Sequence, residues 1–156
     1  AMTAATPIRL RAEDSDGLHV ISACLQDAIV PLAEMVFQPD EERFVLVVNR
    51  FKWETADQPR PVNGPTADDD ALYPYERTHC AVRFEGVRAV KARGIDLNGR
   101  HQMLELLALE PGAAGVTLHF AGGGGIRLES ARWACLVEDL GDPWPTAVKP
   151  RHPDAE

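Results

Sequence analysis

The segment 44–53, with the sequence FVLVVNRFKW, constrains the fold more than any other part of the chain. Its first half is apolar at every position, which is typical of a central strand buried on both faces. Its second half alternates, so that Phe51 and Trp53 share one side of the strand while Arg50 and Lys52 share the other. We therefore expect a long strand inside a sheet, with cations on the outer face of its second half.

Several shorter segments alternate apolar and polar residues and are bounded by residues that favour turns. They lie at residues 8–11, 78–85, 87–96, 101–110, 116–120 and 126–129. Segment 132–140 is compatible with a strand or a helix. The alternation of Trp133, Cys135 and Val137 with their neighbours favours a strand there.

Helical spacing is clear in one place, near the start of the chain. Within residues 14–27, leucine and isoleucine recur at intervals of three and four residues, which predicts a helix over about that range. Ser15 or Asp16 is a suitable N-cap, because a short polar side chain accepts a hydrogen bond from the first free N–H groups of a helix.

About eight strands and one early helix predict an α+β domain that is mainly antiparallel β. A flat open sheet would leave its second apolar face in water, so we expect the meander of strands to curl or to split into two sheets. A split barrel or a pair of orthogonal sheets fits this expectation. The single domain is expected to cover residues 8–145, with a mobile, proline-rich and acidic loop at 55–77 and an extended tail at 146–156.

Two turns carry specific predictions about strand pairing. Asn98-Gly99 is typical of a two-residue hairpin, which would place Val90 opposite Leu107. The glycines at 122–125 are predicted to form a second hairpin turn. Matching apolar residues across it pairs Phe120 with Ile126 and Leu118 with Leu128, and this register requires a loop with an odd number of residues, three or five.

Charge and composition argue against some classes of binding partner and against some cellular locations. The chain has 156 residues and a net charge of −8, which makes nucleic acid a poor partner because phosphate backbones repel it. No apolar run reaches the roughly 18 residues of a membrane span, and the start lacks a secretory signal, so a membrane role is not expected. Three cysteines, well separated in sequence, indicate buried thiols in a reducing compartment rather than disulfides, and hence a cytoplasmic protein.

Motifs for metal, cofactor or catalysis are absent from the sequence pattern. The five histidines show no metal-ligand spacing, no serine lies in a nucleophile elbow, and the glycines at 122–125 lack the lysine and following helix of a phosphate loop. The sequence therefore predicts no metal, no cofactor and no catalytic residue, and it favours a protein that is not an enzyme. Carboxylates or histidines that meet only in the folded chain leave catalysis open.

The basic residues of the strands are the main candidates for a site. We single out Arg50, Lys52, Arg88, Lys91 and Arg93, which would concentrate positive charge on outer strand faces of an acidic protein. Lys91 and Arg93 share a face, whereas Arg88 joins them only if a bulge intervenes. Cross-strand pairing with glutamates is the simpler explanation of these cations, and a site for an anion is the alternative.

Two functions follow from these observations. The first is a non-catalytic binding or interaction module, and the second is a protein that binds a small anionic ligand at the arginine-bearing strands, with or without weak enzymatic activity. A pocket with two or more convergent arginines and a titratable partner would favour the ligand site. A flat exposed patch containing Trp53 or Trp133 would favour a protein partner. The oligomeric state stays open.

Several short motifs together resemble one protein family. They are residues 10–14 (LRAED), 25–28 (LQDA), 48–54 (VNRFKWE), 93–96 (RGID), 120–124 (FAGGG) and 138–141 (EDLG). Over about residues 8–152 the chain resembles the mostly alphaproteobacterial family catalogued as domain of unknown function 2948. The resemblance implies a small bacterial cytoplasmic protein, and it brings no activity, ligand or functional residue with it.

Overall fold

The computed structural model describes residues 7–56 and 75–150. Within these residues the chain forms one α-helix, α1 (Ser15–Cys24), and ten β-strands. The strands are β1 (Arg9–Ala12), β2 (Ala28–Pro31), β3 (Met35–Gln38), β4 (Arg43–Phe51), β5 (Tyr75–Glu85), β6 (Ala89–Arg93), β7 (Met103–Gly112), β8 (Gly115–Phe120), β9 (Gly125–Glu129) and β10 (Ala134–Thr146). A mostly antiparallel β-fold with one early helix is thereby confirmed.

The strands form one sheet, so the expected alternative of a split into two sheets is not confirmed, and the described residues contain ten strands instead of about eight. The order is β1-β10-β5-β4-β2-β7-β8-β9-β6, and β3 also pairs with β4. The short strand β2 joins the two halves: Ile29 lies opposite Asn49 of β4 on one side and opposite Glu105 of β7 on the other. Because this one strand pairs along both of its edges, the two halves form one continuous sheet.

A single core lies on the inner face of this sheet, under α1. Inward residues from both halves of the sheet, such as Phe84 of β5 and Leu118 of β8, belong to the same buried cluster as Leu18 and Ile21 of the helix. The sheet must therefore curve around the core, which buries the apolar face without a second sheet. The opposite face of the sheet, which we call the outer face, carries most of the charged side chains described below.

Helix α1 begins and ends close to the predicted positions. Asp14, one residue before the expected caps, is the N-cap, and its Oδ1 accepts a hydrogen bond of 2.8 Å from the Gly17 N–H. The helix ends at Cys24, earlier than predicted. Asp27 has a left-handed φ of 63°, and its N–H donates to the carbonyl of Leu106, which turns the chain into β2.

The ambiguous segment at 132–140 is a strand, as the alternation indicated. It belongs to β10, which lies between β1 and β5 and directs Cys135 and Val137 into the core. The long expected strand at 44–53 is β4, which ends at Phe51 and lies between β5 and β2.

The pairing predicted from Asn98-Gly99 is wrong. The predicted two-residue turn is also absent: the Gly99 N–H donates to the Asp96 carbonyl at 3.1 Å, so Leu97 and Asn98 are the central residues of the turn at this place, and the strands on either side of it do not pair. Val90 of β6 lies opposite Leu128 of β9, and β7 pairs with β2 and β8. Longer-range apolar contacts, and not this dipeptide, decide which strands meet.

The hairpin at the glycines has the predicted parity but not the predicted register. Leu118 lies opposite Ile126, and the Phe120 N–H donates to the Gly124 carbonyl at 2.9 Å. The loop therefore holds the three residues 121–123, an odd number as predicted, and the pairing is displaced by two residues. Positive φ angles at Gly122 and Gly123 permit the shorter of the two loops.

Parts of the predicted loop and tail lie outside the described residues. These parts are 57–74 and 151–156. The far end of the predicted loop is strand, because β5 begins at Tyr75. Strand β10 continues to Thr146, so the first residue of the predicted tail still belongs to the sheet.

Candidate anion-binding groove

The five predicted site residues lie in two separate places. Arg50 is 0% exposed and Lys52 is 2% exposed, so the prediction that they lie on an outer face is wrong. Arg88, Lys91 and Arg93 are exposed, at or beside the edge strand β6. The structure therefore does not bring the five cations into one site.

A groove of about 450 Å³ lies on the outer face of β6, β9 and β8. Lys91 of β6 lies opposite Arg127 of β9, which in turn lies opposite Thr117 of β8. One step along the strands, Arg93 lies opposite Gly125 of the same hairpin. Lys91, Arg93 and Arg127 all line this groove, so three cations converge where three strands meet.

One carboxylate lies among these three cations. Glu129 Oε2 is 3.4 Å from Lys91 Nζ and 3.0 Å from Arg127 Nη2. Arg93 makes no ion pair or side-chain hydrogen bond with any residue in the ranges 7–56 and 75–150. The groove thus keeps an excess of positive charge although the chain as a whole is acidic.

Arg88 does not contribute to the groove. The register of β6 with β9 runs without a bulge from Ala89 to Arg93, so Arg88 lies off the face that Lys91 and Arg93 share. Its backbone N–H donates to the Glu129 carbonyl at 2.8 Å, which fixes the main chain and leaves the side chain directed elsewhere.

The floor of the groove is open because a glycine occupies it. A Cβ built on Gly125 would approach the Leu118 carbonyl to 3.4 Å, an ordinary contact, so the backbone does not require glycine at this position. Without a side chain here, solvent reaches the space between Arg93 and His119. Glycine in a strand interior often marks a place where a ligand approaches the backbone closely.

His119 supplies a titratable group at the rim of the groove. Its Nε2 lies 2.8 Å from Glu110 Oε1, on the neighbouring strand β7. Neither His119 nor Arg127 was among the predicted site residues. Their alternation with buried residues indicates that both face outward, but the pairing of β9 with β6 that brings them to Lys91 and Arg93 has no local signal in the sequence.

The buried Arg50 forms a closed ion-pair network. Its Nε and Nη2 donate to the two carboxylate oxygens of Asp139 at 2.8 and 2.7 Å. Its Nη1 and Nη2 donate to the two oxygens of Glu54 at 2.9 and 2.7 Å. The Ile8 N–H also donates to Asp139, at 2.9 Å. The guanidinium donors are thus engaged by the protein itself.

The pKa values of this network follow from its hydrogen bonds. Burial alone would raise the pKa of the Asp139 carboxyl, but the hydrogen bonds from Arg50 and from the Ile8 N–H outweigh burial and lower it. The pKa of Glu54 is lowered in the same way, since hydrogen bonds from Arg50 outweigh its desolvation. Burial favours the neutral form of Arg50, yet its hydrogen bonds to Asp139 and Glu54 raise the pKa of the guanidinium.

Lys52 and the two tryptophans considered earlier also have structural roles. Lys52 Nζ lies 3.5 Å from Glu76 Oε1. The Trp53 indole N–H donates to the Gln26 carbonyl at 2.8 Å, and its ring packs against Phe51 with 4.7 Å between centroids. Trp133 is half-buried against the core. Neither tryptophan therefore marks a flat exposed patch.

The comparison with protein families gives one match. The model of a family described as "Protein of unknown function (DUF2948)" matches residues 8–152, nearly the whole chain. The chain belongs to the DUF2948 family. The family resemblance stated from the motifs is confirmed, and the family carries no assigned activity. No curated protein and no solved structure shows significant similarity to the chain.

The thiols of this DUF2948 chain are unsuited to nucleophilic chemistry. Cys80 and Cys135 are buried, and Cys24 is half-buried. Burial raises the pKa of Cys80 and of Cys135 to about 12 and also raises the pKa of Cys24, so the thiolate that reacts or ligates is disfavoured at each position. None of the three is in a disulfide.

The described residues contain neither a cluster suited to a metal ion nor a helix suited to a membrane. Residues 7–56 and 75–150 contain no group of three or more histidine, cysteine, aspartate or glutamate side chains placed to hold a metal ion. In the same part of the chain, no helix has the length and apolar character needed to cross a membrane.

Proposed function

We propose that this protein binds a small multivalent anion, such as a phosphate, a phosphate ester or a polycarboxylate, in the groove between β6, β9 and β8. The observation that carries the proposal is the convergence of Lys91, Arg93 and Arg127 around a glycine floor, where Glu129 is the one carboxylate of the described residues that forms ion pairs with them. A bacterial cytoplasmic setting is part of the proposal, as the family resemblance implies.

The electrostatics of the groove support an anionic ligand. Lys91 and Arg127 lie directly opposite each other, and like charges in that position destabilise a sheet. Glu129 relieves this repulsion in part, and an anion between the strands would relieve more of it. Arg93 has its full set of donors available, and the planar fork of a guanidinium suits the geometry of phosphate and carboxylate oxygens.

The residues of the groove support binding rather than catalysis. The described lining residues include no cysteine, serine or aspartate that could act as a nucleophile, and Thr117 has no activating base in hydrogen-bond contact. His119 is engaged with Glu110 and supplies the titratable partner that we required of a ligand site. These features favour the small-ligand hypothesis over weak hydrolytic activity at this place.

The test compares anions at equal ionic strength. Pyrophosphate should raise the melting temperature of the protein more than sodium chloride does, because a ligand that binds only the folded state stabilises it. The double substitution Lys91→Gln and Arg93→Gln should remove most of that difference, and calorimetric titration should show a matching loss of affinity. Both side chains are exposed, so the change itself should leave unfolding within about 0.5 kcal/mol of the parent.

A matched control separates a site from a general salt effect. Arg88→Gln with Arg132→Gln removes the same charge from two exposed positions outside the groove. This variant should keep the full pyrophosphate effect. Equal stabilisation of the parent and both double variants would mean that the groove binds no anion, and the proposed function would fall.

A further inference from the structure

Strand β1 is one end of the sheet, and one of its edges has no partner strand in the described residues. The Asp139 N–H donates to the Ile8 carbonyl at 3.1 Å, which makes these two residues a hydrogen-bonded pair of the ladder with β10. Such pairs alternate along an antiparallel ladder, so Leu10 also bonds to β10. The N–H and C=O groups of Arg9 and Arg11 therefore point to the free edge.

The outer face beside this edge forms a second groove, of about 490 Å³. Arg11 lies opposite Leu136 of β10, which lies opposite Arg83 of β5. The next row contains Arg9, Glu138 of β10 and Ala81 of β5. Two half-buried apolar side chains thus form a floor between three arginines.

The guanidinium groups of this groove are only partly engaged. Arg11 contacts Glu13 through its Nε at 3.3 Å, and Arg83 contacts Glu85 through its Nε at 2.7 Å. Arg9 has no ion pair with any residue in the described ranges. The terminal nitrogens, which form the two-pronged contact with a carboxylate, are therefore available in all three arginines.

We infer that the free edge of β1 is a docking site for an extended acidic segment of a partner protein. The segment adds as a strand, with backbone hydrogen bonds to Arg9 and Arg11. Its outward side chains lie beside Arg9 and Arg11, so their carboxylates meet the terminal nitrogens of these two arginines, while Arg83, two strands further into the sheet, adds to the positive charge of this face. Glu138, which lies opposite Arg9 on β10, offsets part of the positive charge at that row, so the stronger contact is expected at Arg11.

The charge of the edge selects against a second copy of this chain as the occupant. Two β1 edges paired antiparallel would bring arginines of one copy opposite arginines of the other, and like charges in cross-strand contact destabilise pairing. Charged edge strands commonly prevent such self-association. An acidic strand paired with β1 would be attracted instead, since its outward carboxylates would lie beside arginines.

The experiment measures binding of a fluorescein-labelled peptide of about eight residues that alternates glutamate and valine. Fluorescence polarisation should show saturable binding to the parent protein. A peptide of the same sequence with alternate backbone nitrogens methylated keeps its charge but loses strand pairing, and it should bind about tenfold more weakly or worse. Equal binding of the two peptides would show attraction without strand addition and would overturn the inference.

Two double variants locate the site. Arg9→Gln with Arg11→Gln should weaken peptide binding about tenfold or more, while Lys91→Gln with Arg93→Gln should change it by less than about twofold. If only the variant with Lys91→Gln and Arg93→Gln lost peptide binding, the peptide would bind in the groove between β6, β9 and β8. That result would overturn this inference and leave the proposed function standing. Absence of saturable binding to the parent would also overturn it.

Discussion

Arg50 and Arg93 are the same residue type on distant strands of one sheet, the central β4 and the edge strand β6, and they occupy opposite environments. Arg50 is fully buried and donates to both oxygens of Asp139 and of Glu54. Arg93 is exposed and has no partner in the described residues. A ligand can bind Arg50 only by breaking ion pairs inside the protein. The guanidinium N–H groups of Arg93, by contrast, are all available to a ligand.

The difference shows what decides the role of a cation in this fold. A buried charge is tolerated only when it is paired and hydrogen-bonded, so Arg50 contributes to folding and is closed to ligands. An exposed charge on an edge strand contributes little to stability. We therefore propose that Arg93 serves to bind a ligand or to protect the edge of the sheet. The predictions below test this separation of roles.

The largest effect is expected from Arg50→Met. The substitution keeps much of the side-chain volume but leaves the carboxylate of Asp139 buried without its cation, which costs about 3–5 kcal/mol of unfolding free energy. Denaturant unfolding measures the loss. Arg93→Met is the matched control, and its unfolding free energy should stay within about 0.5 kcal/mol of the parent.

Arg50→Lys sharpens the same point. A lysine keeps the charge but cannot form two-pronged contacts with both carboxylates, so its stability should fall between that of the parent and Arg50→Met. If Arg50→Met and Arg93→Met were equally stable, the buried network would not be structural, and the comparison would fail.

Acid should weaken the protein through the same network. The pKa values of Asp139 and Glu54 are lowered in the folded state, so their stabilisation is present above the unfolded values of about 4 and is lost as pH falls below them. Unfolding free energy measured from pH 7 downward should therefore drop in that window. Asp139→Asn should flatten the drop, and Lys91→Gln, which alters the exposed groove, should not.

The smallest effect on stability is expected from Gly125→Ala. A Cβ fits without a clash, and alanine restricts the unfolded chain more than glycine, so stability should stay equal or rise by up to about 1 kcal/mol. Anion binding should nevertheless weaken, because the methyl group occupies the floor of the groove. Gly112→Ala makes the same change outside the groove and should leave anion affinity unchanged. An unaltered affinity in Gly125→Ala would place the anion elsewhere.

Local sequence patterns predicted the helix and most of the strands, but they did not predict how the strands pair. Period-two alternation located most of the strands, and the single stretch of helical spacing located α1 within a few residues. The two halves join into one sheet through a single residue pair between β2 and β4, Ile29 and Asn49. No periodicity in the sequence predicts this pair. The same limit explains the wrong pairing at Asn98-Gly99, since a dipeptide carries no information on the strand partners of β6.

The predicted face of the candidate site residues is right for Lys91 and Arg93 on the edge strand and wrong for Arg50 on the central strand. The shared face of Lys91 and Arg93 follows from strand geometry alone, and the structure has it. Arg50 alternates with apolar neighbours just as an outward residue does. Its burial depends on Asp139, 89 residues further along the chain, and an ion pair at that separation is invisible to any local reading.

The position of β10 between β1 and β5 determines when this part of the sheet can form during synthesis of the chain. Strand β1 leaves the ribosome early, yet its only partner in the described residues is the strand that emerges after all the others. Until then a nascent chain exposes the edge of β5, with Val82 and Phe84 along it, to any other unpaired strand. Arrival of residues 134–146 completes the sheet and covers this aggregation-prone edge in one step.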